Sequence, residues 1–298
     1  MAPIMKTVAY GQTLIKGEKR MLSEMIEKLK RRLSGEGDKP VWTQEEDLSR
    51  VDNGGIGWVS PSYVRSRPVQ LDPELMRKNR CVGFFSNMQE VEPYRVLRTQ
   101  IFQRTLDKGG NTLMVTSPLS GEGKSLTAIN LAFAIAKEFK QTVLLVDCDL
   151  RQQSIHKILG ITSEKGLANY ILDNCPLEKI IIWPGVEKMT LISGGKTIWR
   201  SSELLGAPRM KELVAEMKTR YPDRYVIFDV PPVLGVADSA AFVPLIDHVV
   251  MVVQAGKTIF PDIKKALEAL PREKIVGFVL NRQSIPAETT YYYYYPKG

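Results

Sequence analysis

LMVTSPLSGEGKSLTAINLAFAIAKEF, residues 113–139, runs from an apolar strand pattern through a glycine loop into a long apolar helix pattern. A strand, glycine loop and helix in that order aim backbone N–H groups and the positive end of the helix dipole at one point, where phosphates bind. The loop residues Ser120, Gly121, Glu122, Gly123, Lys124, Ser125 and Leu126 are therefore candidates for a nucleotide cradle. Lys124 is placed to reach the β- and γ-phosphates and Ser125 to ligate Mg2+. The match to G-x-x-x-x-G-K-[ST] is partial, because Pro118 stands where the first glycine is expected.

Outward from this stretch, short apolar runs alternate with helical stretches: TVLLVD at 142–147, YVIFDV at 225–230, HVVMVV at 248–253 and KIVGFVL at 274–280. This rhythm predicts an α/β fold, a mostly parallel doubly wound sheet of the P-loop NTPase type, with ligands at the carboxyl ends of the strands. Two of those ends are acidic. TVLLVDCDLR closes on Asp147 and Asp149, which an extended segment would point the same way. YVIFDVPP closes on Asp229, and Pro231 and Pro232 stop the strand. One such aspartate is commonly a cap; three beside a GKS loop point to a Mg-nucleotide site.

Composition bounds what else the chain does. With 298 residues and 44% hydrophobic composition it can bury a substantial core. It has no uninterrupted apolar stretch long enough to span a membrane and no signal-peptide core at the amino terminus, so a cytoplasmic location is expected. Cys81, Cys148 and Cys175 match no zinc spacing, and His156 and His248 are the only histidines, so a divalent metal would take oxygen ligands. The net charge of +8 does not choose among nucleic acid, acidic lipid and solubility, and without an aromatic-interleaved basic motif no nucleic acid partner is expected. Residues 1–34 read as a basic amphipathic helical segment, Leu22, Met25, Ile26, Leu29 and Leu33 recurring at helical spacing among Lys28, Lys30, Arg31 and Arg32. Docking on a protein surface and lying on a membrane surface are equally compatible with that pattern. Residues 35–89, rich in Gly, Pro, Asp and Arg, read as a linker; 90–285 as the nucleotide domain; and 286–298 as a tail holding five consecutive tyrosines, Tyr291, Tyr292, Tyr293, Tyr294 and Tyr295.

TSPLSGEGKS, LLVDCDLR and VIFDVPP together resemble the Walker A, Walker A′ and Walker B motifs of the bacterial tyrosine kinases that regulate polysaccharide synthesis and export. EPYRVLRTQI at 92–101 is similar to that family's E-x-x-R-x-x-R assembly motif, and SSELLGAPRM and the tyrosine cluster add to the likeness, which covers roughly Glu90 to Gly298. YVRSRPVQLDPELMRKNR resembles the extension of stand-alone autokinases from exopolysaccharide loci. Related Min-type and partition-type ATPases carry an additional lysine early in the loop, where this chain has Leu119.

The resemblance implies an ATP- and Mg2+-dependent protein-tyrosine autokinase whose acceptor is the tyrosine cluster, phosphorylated in trans within a ring-type homo-oligomer. A tyrosine hydroxyl has a pKa near 10, so a carboxylate that accepts its proton assists attack; Asp147 is the candidate base, or a residue of the metal site. Asp149, Asp229 and Ser125 would organise Mg2+ while Lys124 offsets phosphate charge. Glu92, Arg95 and Arg98 recur along one helix flank; alone they read as a solvated ion-paired face, and by resemblance as the ring contact. Asn281 and Arg282 resemble the segment that frames adenine. The expected partner is the cytoplasmic segment of a membrane polysaccharide co-polymerase, which would recruit the chain to the inner face of the membrane. Two other readings remain: a positioning-type ATPase that transfers phosphate to water, and a nucleotide-dependent scaffold without catalysis.

Overall fold

The computed structural model of the chain describes residues 4–9, 66–86, 88–105, 109–221 and 223–283. In chain order these form β1 (Ile4–Ala9), β2 (Arg67–Pro68), α1 (Pro73–Lys78), α2 (Glu92–Thr105), β3 (Thr112–Thr116), α3 (Lys124–Ala136), β4 (Thr142–Asp147), α4 (Ile155–Leu159), α5 (Leu167–Leu172), β5 (Ile181–Trp183), β6 (Met189–Ile192), α6 (Ser201–Leu205), α7 (Pro208–Thr219), β7 (Arg224–Asp229), α8 (Asp238–Phe242), β8 (His248–Gln254), α9 (Phe260–Glu268) and β9 (Ile275–Gln283), with short 3-10 turns between some of them.

Nine strands make one sheet in the order β1-β9-β8-β3-β7-β4-β6-β5-β2. The five strands from β9 to β4 are mutually parallel, as is β6 on β4; the antiparallel pairings are β1 on β9 and β5 on β6. Every residue of β3 and β4 is buried, which explains their continuous apolar runs: a central parallel strand has helices on both faces. Alternate residues divide between two cores. Leu113, Val115, Leu145 and Ile227 pack with α3, α2 and α1, whereas Met114, Leu144, Val146 and Phe228 pack with α7, α8 and α9. Nearly all of α3 is buried, its alanines letting the helix lie close to the sheet, so this helix holds the phosphate loop against the core.

The expected doubly wound parallel sheet is the observed one, and two boundaries differ from the sequence reading. The stretch from Arg67 to Gln89, read as the end of a linker, belongs to the folded body: β2 pairs with β5, and Leu71, Met76 and Cys81 are buried against the α3 face. Its helix has an ordinary start signal, with Asp72 accepting the Glu74 N–H at 2.9 Å and Pro73 in the first turn. At the amino terminus Ile4–Ala9 adds an antiparallel edge strand with an irregular register near Ile4 and Lys6, inside the span read as helical. The Leu22–Leu33 helix pattern and the tyrosine cluster lie outside the described residues. Among the described residues no helix is long and apolar enough to cross a membrane, and the three cysteines are free and buried.

Candidate active site

The loop between β3 and α3 sits at the carboxyl ends of the central strands. Gly121 and Gly123 adopt left-handed backbone, with φ of 81° and 93°, which residues with a Cβ rarely sustain. Pro118, the departure from the strict motif, is accommodated in the first half of the loop. Its carbonyl accepts Leu234 N–H at 3.1 Å, and the Ser117 carbonyl accepts Val233 N–H at 2.8 Å, so the segment after β7 fixes that half. Ser120 and Gly121 are exposed at the tip, whereas Lys124 and Ser125 are buried at the start of α3.

Lys124 reaches into a pit of carboxylates. Its Nζ lies 2.8 Å from Asp149 Oδ2, 3.3 Å from Asp229 Oδ1 and 3.3 Å from Ser125 Oγ. Burial alone would lower its pKa; Asp229, Asp149 and Asp147 more than reverse this, and the ammonium is held well above its ordinary range. Asp147 and Asp229 are opposite each other in the β4–β7 register, both with no exposed surface. Burial first and the Asp229 charge second push the Asp147 carboxyl up to about 8, against the opposing pull of Lys124. Burial likewise raises Asp229.

Asp147 and Asp149 are not side by side on a continuing strand, as simple alternation suggests. The strand ends at Asp147, whose two oxygens turn back to accept the amides of Asp149 at 3.1 Å and Ile155 at 3.2 Å. Asp149 lies in the following turn, with Oδ1 accepting Gln152 N–H at 3.0 Å and Oδ2 on Lys124. The backbone therefore separates a carboxylate held by amides from one held by an ammonium.

Among the described residues no His, Cys, Asp and Glu side chains are gathered three at a time around a common cation position, and Lys124 stands between Asp149 and Asp229. Mg2+, however, is held through one or two carboxylates together with phosphate and water oxygens. Asp229 Oδ2 is buried without a hydrogen-bond partner, an atom with unused capacity for a cation. Ser125, Asp149 and Asp229 thus form a fitting all-oxygen donor set.

On the other side of the loop, Glu122 and Asn281 are both bonded to protein groups. Glu122 is buried, its carboxylate accepting Leu119 N–H at 2.8 Å and the Thr258 hydroxyl. Asn281 Nδ2 donates to the Glu122 carbonyl at 2.8 Å and Oδ1 accepts Arg282 N–H at 2.9 Å, leaving its amide engaged with protein. Arg282 takes a left-handed φ of 57° and lies 3.4 Å from Gln254 Oε1. Along α2, Glu92 and Arg95 pair at 3.1 Å on the surface, while Arg98 is directed inward to the Ala134 carbonyl at 3.0 Å and Glu138 at 3.1 Å.

Arg151, Ser201, Asp238 and Thr258 are not singled out by the sequence reading. Arg151 bonds Ser201 at 2.8 Å and Asp238 at 3.3 Å, linking the turn after Asp149 to the starts of α6 and α8, and Ser201 also bonds the fully buried Asp238. Thr258 meets Glu122 on the other side of the loop. Only the fold brings such distant positions together; Arg151 lies within the quoted CDLR stretch and Ser201 opens SSELL, which are weak pointers at most.

A family model described as an AAA domain matches residues 111–270, from the start of β3 to beyond α9. The tyrosine-protein kinase YwqD of Bacillus subtilis is 35% identical over 205 residues, which cover 68% of this chain and 85% of YwqD. The tyrosine-protein kinase Etk of Escherichia coli is 30% identical over a region that is 68% of this chain and 28% of Etk. The solved kinase domain of Escherichia coli Etk superimposes with a TM-score of 0.66 at 26% identity, covering 79% of this chain and 95% of that domain. The match spans the phosphate loop, both acidic strand ends and the helices around them: the chain belongs to the bacterial tyrosine kinase family and is a protein-tyrosine kinase by class.

Proposed function

We propose that this kinase binds Mg-ATP at the β3–α3 loop and transfers the γ-phosphoryl group to its own tyrosine cluster, Tyr291 to Tyr295, in trans within a ring-type homo-oligomer. The observation that carries the reading is the convergence of Lys124, Asp147, Asp149 and Asp229 at the end of the phosphate loop. Lys124 would exchange part of its carboxylate contacts for the outer phosphates, offsetting charge that develops during transfer. Ser125, Asp149 and Asp229 would hold Mg2+, which when bound neutralises phosphate charge and orients the group.

The tyrosine oxygen forms its bond to the γ-phosphorus as the bond to the β,γ-bridging oxygen breaks, releasing ADP, and the phenol proton passes to Asp147. In its ionised form, a carboxylate whose pKa is raised by burial and by the Asp229 charge is a stronger base than an ordinary aspartate. Its two amide contacts keep the carboxylate aimed during this transfer.

From Asn281 at the edge of the site, the chain to Tyr291 extends at most about 33–36 Å, enough to reach a neighbouring copy. Glu92 and Arg95 on the surface of α2 are available for a ring contact, whereas Arg98 would join one only by releasing Glu138. Each phosphotyrosine adds about −1.5 to −2 charge, so a fully modified tail offsets a net charge of +8 and crowds like charges in an assembled ring. The unphosphorylated form would assemble and the phosphorylated form come apart. In this reading the kinase regulates exopolysaccharide polymerisation or export and is recruited from the cytoplasm by the cytoplasmic segment of a membrane co-polymerase.

Intact mass after incubation with Mg-ATP, with that membrane segment supplied as activator, tests the reading. Phosphate additions on the native chain should vanish in Lys124→Met and in the chain with all five tail tyrosines changed to Phe. ATP hydrolysis with no added mass would contradict it and favour an ATPase.

A further inference from the structure

We infer that Glu122 is a positioning residue, a strut that ties the phosphate loop to the carboxyl ends of β8 and β9 and so sets the affinity of the loop for the nucleotide polyphosphate. The inference rests on nucleotide binding at this loop, as proposed above.

An acidic side chain in a phosphate-binding loop should repel its ligand, and Glu122 is only 3% exposed there. Its placement resolves the conflict. Both carboxylate oxygens are taken by protein donors, one accepting Leu119 N–H at 2.8 Å and the other the Thr258 hydroxyl. Thr258 Oγ1 in turn accepts Gln254 N–H at 2.8 Å, which leaves its single proton directed at Glu122. The backbone carbonyl of Glu122 accepts from Asn281 Nδ2 at 2.8 Å, and a Cβ at Gly123 would lie 2.1 Å from that same nitrogen. The loop is therefore bolted through one residue to the turn after β8 and to the end of β9, with glycine required at the next position for the close approach.

The strut also sorts the loop amides. Leu119 N–H is taken by the carboxylate and withdrawn from any phosphate, so the amides after it, at the exposed tip and the start of α3, form the cradle. The first half of the loop is fixed separately by the segment after β7, through Val233 and Leu234. Without Glu122 the second half would have Asn281 alone and would sample shapes that do not converge on a ligand.

Calorimetric titration of the full chain with Mg-ADP tests this. Glu122→Gln and Thr258→Val should each weaken binding roughly tenfold, whereas Thr258→Ser, which keeps the donor, should stay within about twofold of the native chain. Because both changes remove one strut, the double variant should bind no more weakly than the weaker single variant. With ATP, KM should rise while kcat at saturation is retained, a split that general unfolding would not produce. Equal or tighter binding by Glu122→Gln, as expected of a free negative charge beside phosphates, would overturn the inference, and so would equal affinity in Thr258→Val and Thr258→Ser. The Thr258 pair decides if Glu122→Gln does not fold. Native binding without phosphotyrosine contradicts the proposed function alone; native-like affinity in the variants contradicts the strut alone.

Discussion

The two sides of the phosphate loop are built from opposite kinds of contact. Toward β4 and β7 the loop ends in Lys124, held in a buried pit by Asp149 and Asp229. Toward β8 and β9 it is clasped by Glu122, Thr258 and Asn281, a set of hydrogen bonds that is complete without a ligand. The first side has an orphaned carboxylate oxygen on Asp229 and a proton affinity on Asp147 far from the aspartate norm. A ligand must rearrange it, since every contact Lys124 gives to a phosphate is taken from Asp149, Asp229 or the Ser125 hydroxyl. The second side is a frame. Reactivity is concentrated where the contacts are charged and incomplete, and shape is held where they are saturated.

Substitutions on the charged side should therefore abolish transfer, and those in the surrounding frame should change affinity or stability instead. The largest effect is expected for Lys124→Met, which removes the cation and leaves three buried carboxylates to face phosphates, lowering the transfer rate about a hundredfold or more. Asp147→Asn should lower the rate about 10²-fold while Mg-ADP binds as in the native chain; a loss of nucleotide affinity as large as the loss of rate would reassign Asp147 to the metal site. Rates by intact mass and affinities by calorimetry separate these outcomes.

In the scaffold beneath the loop, Leu131→Ala on α3 removes a fully buried side chain and should cost about 2–5 kcal/mol in denaturant unfolding, with nucleotide affinity retained in the folded fraction. A smaller effect is expected at Asp247, whose carboxylate takes the amides of Asn111 and Thr112, the Thr112 hydroxyl and Lys218, and so anchors the start of β3. Burial would raise its pKa, but the bonds from Lys218 and Thr112 outweigh it and the carboxyl is held below its usual range. The folded value lies below the unfolded one, so the stabilisation is present above about pH 4 and is lost as pH falls through the folded value. Asp247→Asn should thus cost about 1–2 kcal/mol near neutral pH and flatten the acid limb of the stability profile. A cost that persists undiminished at pH 2 would contradict this account. The smallest effect belongs to the exposed Glu92–Arg95 pair, where Glu92→Ala should change unfolding free energy by less than about 1 kcal/mol. A change in native mass distribution at unchanged stability would assign that pair to assembly.

The same contrast explains what was legible in the sequence. Lys124, Asp147, Asp149 and Asp229 stand in short windows where strand, loop and helix patterns change, so local rules place them near one another. The frame was harder to see because its bonds join residues far apart in sequence: Glu122 to Thr258 spans 136 positions and to Asn281 159, and no local pattern marks such partners. Asn281 illustrates the limit. The resemblance marks it as part of an adenine frame, and nothing in its sequence neighbourhood announces its bond to the Glu122 carbonyl. Arg98 likewise looked like part of one exposed flank, yet α2 packs close enough to α3 for it to reach Ala134 and Glu138. The Arg67–Gln89 stretch hid its role under a linker-like composition, although Asp72 and Pro73 mark a helix start within it.

The central claim, that this site phosphorylates tyrosines of another copy, is tested most directly by mixing two chains of distinguishable mass with Mg-ATP and the activating segment. One carries Lys124→Met with the tail intact, and the other carries the native site with Phe at positions 291–295. Phosphate should appear on the Lys124→Met chain, on its tail tyrosines, and on neither chain alone. If native chains gain phosphate while the mixture gains none, transfer between copies is contradicted; if native chains gain none either, the assignment of the tyrosine cluster as acceptor falls with it.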